Sequence, residues 1–213
     1  MKSVCIIPIK KKSLRVKRKN FKKINNIPLY KITLDKVKKC EFDEIYVDTD
    51  SLEIKKYCYS NNIKVINRLK KLSSNSANGN DLLNYHSKII TADIYFQIFI
   101  TSPLLSKKSI NYCINFLKKK KNFDSILTCK KIFSWFWFKN KPVNYSPKKL
   151  PRSQDATPII QETTGLYGIK KSALKKYRCR IGQKPFFYEV SNTEAIDLDS
   201  YEDFKILKSY GRK

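Results

Sequence analysis

Short apolar runs alternate with stretches of helical periodicity from residue 4 to residue 129, and this alternation restricts the fold more than any other feature of the chain. Val4-Cys5-Ile6-Ile7, Glu44–Val47, Ile63–Ile66, Ile94–Ile100 and Ser125–Cys129 have the length and composition of buried strands. Between them, Leu29, Ile32, Thr33, Lys36 and Val37 recur at helical spacing behind Pro28. Ser51 is placed to cap a helix over Leu52–Asn61, a further helix falls around Leu82–Thr91, and Ser106 caps one that runs to about Lys121. Strands separated by helical segments of about ten to fifteen residues predict an α/β fold with a doubly wound, mostly parallel sheet. In such sheets the ligand sits at the carboxyl ends of the strands.

The alternation breaks after residue 130. Phe133–Phe138 is an aromatic candidate strand turning at Lys139–Pro142, and residues 144–158 hold three prolines and little periodicity. Gln161–Ile169 and Phe186–Val190 then read as strands, Glu194–Leu198 as strand-like, and Ser200 to about Tyr210 as a closing helix. The expectation is one domain over residues 1–213 with an inserted arm at about 133–160. Exposed aromatics on such an arm call for a partner surface, which points to a dimer; the alternative is that Trp135 and Trp137 pack on the parent sheet.

Composition narrows the chemistry. Of the five glycines only Gly79 precedes residue 150, so neither a P-loop nor a clustered-glycine dinucleotide fingerprint is present. The net charge of +27 suggests nucleic acid, but it comes from 38 Lys and only 7 Arg, whereas base and phosphate recognition favours the guanidinium fork. With 16 Asn and 25 Ile the chain carries the signature of A/T-rich codons, so a nucleic-acid partner is not expected. An anionic substrate still benefits from the field. No apolar run reaches the ~18 residues of a membrane span. Six cysteines without CxxC spacing and a lone histidine, His86, argue against zinc and read as thiols of a reducing compartment. The apolar run behind Met1 is too short for a signal-peptide core, so a cytoplasmic protein is expected.

Four constellations fall where strands end. The loop Pro8–Asn20 holds seven basic residues and suits a polyphosphate, which carries roughly four negative charges as a triphosphate. Asp48-Thr49-Asp50-Ser51 offers either a metal carboxylate or a helix cap through Asp50 or Ser51. Thr101-Ser102-Pro103 supplies hydroxyls to a ligand or a turn. In Ile196-Asp197-Leu198-Asp199 the two carboxylates share one side of an extended segment, an arrangement eased by a cation between them, although caps of the next helix are the alternative.

In this order the motifs resemble the acylneuraminate cytidylyltransferase family, the CMP-sugar synthetases. IIPIKKKSLRVKRKN is similar to its opening IPARGGSKRxxxKN, keeping Pro8, Ser13, Arg15, Lys19 and Asn20. YVDTDSLEI, the Arg68–Ser74 segment, TSPLL, PRSQDATPIIQETTGLYGIKK and EAIDLDSYEDFKI match further family segments, so the resemblance spans nearly the whole chain. It implies a Rossmann-like nucleotidyltransferase fold and transfer of CMP from CTP to a 2-keto-3-deoxy sugar acid, releasing pyrophosphate, for surface-glycan synthesis. It further implies Mg2+ on Asp197 and Asp199, with Arg15 stabilising the leaving group. Ser13 and Lys19 would hold the triphosphate, and Asn20, Arg68 and Ser74 the nucleoside. The sugar would meet Tyr167, Phe186 and Phe187, with Arg152 and Gln154 reaching from the arm of a homodimer. Two departures stand out: Lys11 and Lys12 replace the loop glycines, and Phe99-Ile100 replaces Gln-Pro before TSP. The first implies a different loop geometry and possible loss of turnover with CTP still bound.

Overall fold

The computed structural model describes residues 1–13, 16–74 and 76–210. Among them, β1 (Ser3–Ile9) is followed by a short hairpin, β2 (Lys23–Ile24) with β3 (Ile27–Pro28), and by α1 (Leu29–Val37). Then come β4 (Glu44–Thr49), α2 (Leu52–Tyr59), β5 (Lys64–Asn67), α3 (Gly79–Ile89), β6 (Ile94–Ile98) and α4 (Lys107–Lys119). β7 (Ser125–Ile132) leads into the arm, which holds β8 (Trp137–Phe138) and β9 (Lys141–Pro142). The chain returns through β10 (Ile159–Lys170), α5 (Lys171–Tyr177), β11 (Pro185–Glu189) and α6 (Tyr201–Tyr210).

The main sheet runs β11-β7-β10-β6-β1-β4-β5 and is parallel except for β10, which pairs antiparallel with both β6 and β7. The doubly wound expectation holds, and its cause is visible in β1. Cys5, Ile7 and Ile9 face one core with α1, α2 and α4, while Val4 and Ile6 face a second core with α3 and α5. The period of two sends successive apolar side chains to opposite layers, so a continuous apolar run is buried on both faces. β1 continues through Pro8, because the pairing with β6 ends at Ile6 opposite Gln97 and the missing N–H breaks no ladder bond on that side. No helix among the described residues is long and apolar enough to cross a membrane.

Two expectations change, and one open alternative falls. Glu194–Leu198 is not a strand but a turn, closed by Ala195 N–H on Ser191 and Ile196 N–H on Thr193. Of Phe133–Phe138 only Trp137–Phe138 is a strand, paired to Lys141–Pro142 across Lys139 and Asn140, whose φ of 47° and 60° suit a tight hairpin. Trp135 and Trp137 do not reach the parent sheet. Both lie against Tyr145, with Trp135 Nε1 donating to the Pro151 carbonyl (3.2 Å), and both remain exposed.

Candidate functional site

The carboxyl ends of β1, β5 and β6 open onto a cavity of about 320 Å3 lined by Pro8, Lys10, Lys12, Ser13, Lys19, Asn20, Arg68, Leu72, Ser74 and Phe99, among others. Local bonding explains the shape of its rim. Asn20, nearly buried, donates from Nδ2 to the Lys10 carbonyl (2.6 Å) and ties the two ends of the basic loop together. Lys11 N–H donates to Asp50 Oδ1 (2.6 Å), so one loop amide is already engaged by a carboxylate. Lys10 Nζ reaches the Ser74 carbonyl (3.4 Å) across the opening. The predicted nucleotide residues Ser13, Lys19, Asn20, Arg68 and Ser74 thus line one cavity; Arg15 lies outside the described residues. A larger cavity of about 540 Å3 on the other side of Lys12 and Ser13 meets the start of α2 and is lined by none of Lys19, Asn20, Arg68 and Ser74.

Beneath the cavity lies a buried charge cluster. Asp48, at the end of β4, accepts from Arg68 Nε and Nη2 (both 3.1 Å) and lies 3.0 Å from His86 Nε2. All three side chains are almost fully buried, and Asp48 Oδ1 and His86 Nδ1 have no hydrogen-bond partner. Burial alone would raise the Asp48 pKa, but the His86 hydrogen bond and the Arg68 charge hold it below the ordinary carboxylate value. This corrects the metal reading of this segment: Asp48 is committed to two basic partners. Ser51 instead caps α2 through Ile54 N–H, and Asp50 bonds the loop.

The second half of the site is the Asp197–Asp199 segment. Leu198 N–H donates to the Thr101 carbonyl (2.8 Å), and Ser102 Oγ to Asp197 Oδ1 (3.3 Å). Lys19 Nζ bonds both the Leu198 carbonyl (2.6 Å) and Asp199 Oδ1 (3.2 Å), and this ties the segment to the nucleotide loop. Leu198 is fully buried with Ile24, Leu29 and Leu207, which anchors the turn without strand pairing. The cap of α6 is made by Ser200 and Asp203, through reciprocal bonds of 2.7 Å and 3.1 Å, rather than by the Asp199 carboxylate. Partly buried Lys36 donates to the carbonyls of Pro103 and Leu105 and fixes the Thr101–Leu105 loop; desolvation lowers its pKa to about 8 against the opposing influence of Cys40 and Glu194.

Among the described residues no cluster of three or more His, Cys, Asp or Glu is placed to hold a metal, so a cation at this segment would have Asp197 and Asp199 as its protein carboxylates and would need further ligands, as Mg2+ does. That ion commonly takes one or two carboxylates and completes its shell with phosphate oxygens and water.

The expected sugar residues divide. Tyr167 is buried beside the site, its hydroxyl donating to Glu162 Oε2 (2.9 Å) and its ring edge-on to Phe99. Phe186 is not in the site: it stacks on Phe116 of α4 (4.0 Å) and packs against the core. Phe187, one residue on, points to the other face of an edge strand and is exposed. Arg152 and Gln154 lie exposed on the arm, and Arg152 Nε is paired with Asp155 (2.6 Å). Sequence reasoning missed the Asp48–His86 pairing and Arg180, whose guanidinium carbon sits 3.6 Å from the Tyr167 ring centroid. The scarcity of arginine was the available signal for Arg180.

A family model described as cytidylyltransferase matches residues 4–211. An N-acylneuraminate cytidylyltransferase A of Danio rerio is 25% identical, covering 89% of this chain and 46% of that protein. An N-acylneuraminate cytidylyltransferase of Streptococcus agalactiae is 22% identical over 96% of this chain and 52% of its own length. The chain thus spans about half the length of these relatives. Among solved structures, a CMP:2-keto-3-deoxy-manno-octonic acid synthetase complexed with CTP superposes with a TM-score of 0.73 at 16% identity, covering 99% of this chain and 98% of that one. A 4-diphosphocytidyl-2C-methyl-D-erythritol synthase from Anaerococcus prevotii gives 0.66 at 15% identity over 100% and 97%. Both share this fold.

Proposed function

We propose, from the premise that the chain belongs to the cytidylyltransferase family, that it transfers CMP from CTP to the anomeric hydroxyl of a 2-keto-3-deoxy sugar acid and releases pyrophosphate. The observation that carries this reading is the bridge made by Lys19, which lines the nucleotide cavity and at the same time bonds the Asp197–Asp199 segment. The hydroxyl oxygen forms a bond to the α-phosphorus, the α–β anhydride bond breaks, and a nearby carboxylate of Asp197 or Asp199 takes the proton. Lys10, Lys12 and Ser13 face the triphosphate, and Asn20, Arg68 and Ser74 face the nucleoside. Positioning and charge neutralisation account for most of catalysis in such transfers. Asp197 and Asp199 would hold Mg2+, which when bound neutralises charge on the phosphate oxygens. Six free cysteines, four of them buried, support a reducing cytoplasmic setting.

Pyrophosphate release tests the reading. CTP with N-acetylneuraminate or 2-keto-3-deoxy-manno-octonate is expected to give Mg2+-dependent release, and ATP, GTP and UTP far less. CTP binding with no release across these acids would overturn it in favour of a nucleotide-binding relative.

A further inference from the structure

A carboxylate-bearing acceptor needs a cation beside Asp197. Arg152 lies on the exposed arm and, within its own chain, is paired with Asp155. Arg180 lies against Tyr167 and Phe99, the latter a wall of the nucleotide cavity. It follows α5, and its backbone N–H donates to Asn80 Oδ1 (2.9 Å) at the start of α3, while the Arg178 carbonyl accepts from Asn84 Nδ2 (2.7 Å). These bonds fix the segment and lay the guanidinium over Tyr167, 3.6 Å from the ring centroid and 5.9 Å from that of Phe99, a wall of the nucleotide cavity. Gly79 leaves the guanidinium its present position: a Cβ there would lie 2.6 Å from Arg180 Nη1 and would displace that tip.

Two features mark this spot as unfinished. Among the described residues no acceptor is hydrogen-bonded to the Arg180 guanidinium, although Glu162 is close enough to bond Tyr167 Oη. Gln97 is fully buried, spends its Nε2 on the Gly79 carbonyl (2.9 Å), and leaves the acceptor Oε1 without a partner, which suits a hydroxyl of an incoming polyol beside the anion rather than the anion itself. A guanidinium stacked by its face keeps its edge N–H groups free for a planar, two-oxygen anion. Tyr167 also lies within charge range of Asp197, since burial, Glu162 and Asp197 raise its pKa while Arg180 opposes them.

We propose that Arg180 is the anion receptor of the acceptor pocket, taking the carboxylate of the incoming sugar acid in a two-pronged contact and so setting the preference for an acidic acceptor. This rests on the transfer reaction proposed above. Pyrophosphate release is to be measured with CTP and N-acetylneuraminate or 2-keto-3-deoxy-manno-octonate, and with their methyl esters, for wild type, Arg180→Ala and Arg180→Lys. Wild type is expected to favour acid over ester by about ten- to a hundredfold in kcat/KM, the value of a charge-assisted contact. Arg180→Ala is expected to raise the acid KM by a similar factor, erase the acid–ester difference and leave the CTP KM unchanged, with Arg180→Lys recovering part of the preference. If Arg180→Ala unfolds, Gly79→Ala serves instead: its methyl displaces Nη1 and is expected to give the same acid-selective rise. An acid–ester preference that survives in the variants overturns the role of Arg180 while the transfer reaction stands. Absence of release by wild type with every acid overturns the transfer reaction, and the role of Arg180 with it.

Discussion

Asp48→Asn removes the one negative charge from a buried cluster that holds Arg68 under the nucleotide cavity. The side chains of Asp48 and Arg68 are 1% and 4% exposed, and their charged atoms are 3.1 Å apart. At an effective dielectric of about 20, unit charges at that distance attract by roughly 5 kcal/mol. Desolvation offsets much of this while the pair is intact, but deleting one charge leaves the other unpaid for, at a cost of about 3–5 kcal/mol. Arg68 has no escape by deprotonation. For a chain of this size the melting temperature is expected to fall by roughly 6–20 °C. The KM for CTP is expected to rise as well, because Arg68 loses its orientation. Thermal unfolding of Asp48→Asn, Arg68→Met and the double variant gives the coupling directly, and the double variant is expected to be more stable than additivity allows by about 2 kcal/mol. The pH dependence has a fixed sign. Asp48 titrates below its ordinary value, so its contribution is fully present above the usual carboxylate range and is lost as pH falls through the depressed pKa. Additivity within about 0.5 kcal/mol would refute the coupling and leave Arg68 merely packed near Asp48.

Asp199→Asn is expected to fold normally, since Ser200 and Asp203 cap α6, and to lose turnover by roughly a hundredfold at limiting Mg2+; wild-type turnover there would return the carboxylate to a structural role. A homodimer through the arm is proposed from exposed Phe133, Trp137 and Phe138, so sedimentation should give twice the chain mass and Trp137→Ser with Phe138→Ser should give a monomer; a wild-type monomer with full activity would remove the arm from the site. Lys11 and Lys12 are exposed at the loop, and changing both to Gly should flatten the fall of CTP affinity with ionic strength; identical slopes would mean that both side chains serve only solvent.

The parallel core was legible because its strands are buried on both faces: Val4 to Ile7 must serve two apolar layers, and a run of that kind has few other uses. Strand direction was not legible. β10 reads locally like any apolar strand, and nothing local shows that it returns from the arm antiparallel to β6 and to both halves of β7. Ile196 and Leu198 alternate with Asp197 and Asp199 as a half-buried strand would, yet the segment is held by Leu198 in a small apolar cluster and by one bond to Thr101. The resemblance assigned both Phe186 and Phe187 to the sugar, against the period of two. Adjacent residues on a strand cannot both face one pocket, and here one meets α4 while its neighbour faces outward.

Charge was the hardest signal to read, because lysine is so abundant that its position carries little information. The lysines that shape the site are marked by what they bond: Lys36 the carbonyls of Pro103 and Leu105, and Lys19 the Leu198 carbonyl and Asp199. The arginines differ by kind. A guanidinium cannot be neutralised by burial and offers a flat fork, so it suits a fixed cation under a nucleotide or on an aromatic ring better than an ammonium does. Arg68, clamped by Asp48, and Arg180, laid on Tyr167, occupy two such places, where a lysine would have to give up either its charge or its hydration. In a chain whose composition favours lysine, an arginine retained at a buried or stacked position is therefore the more specific pointer to where anionic groups of the substrates bind.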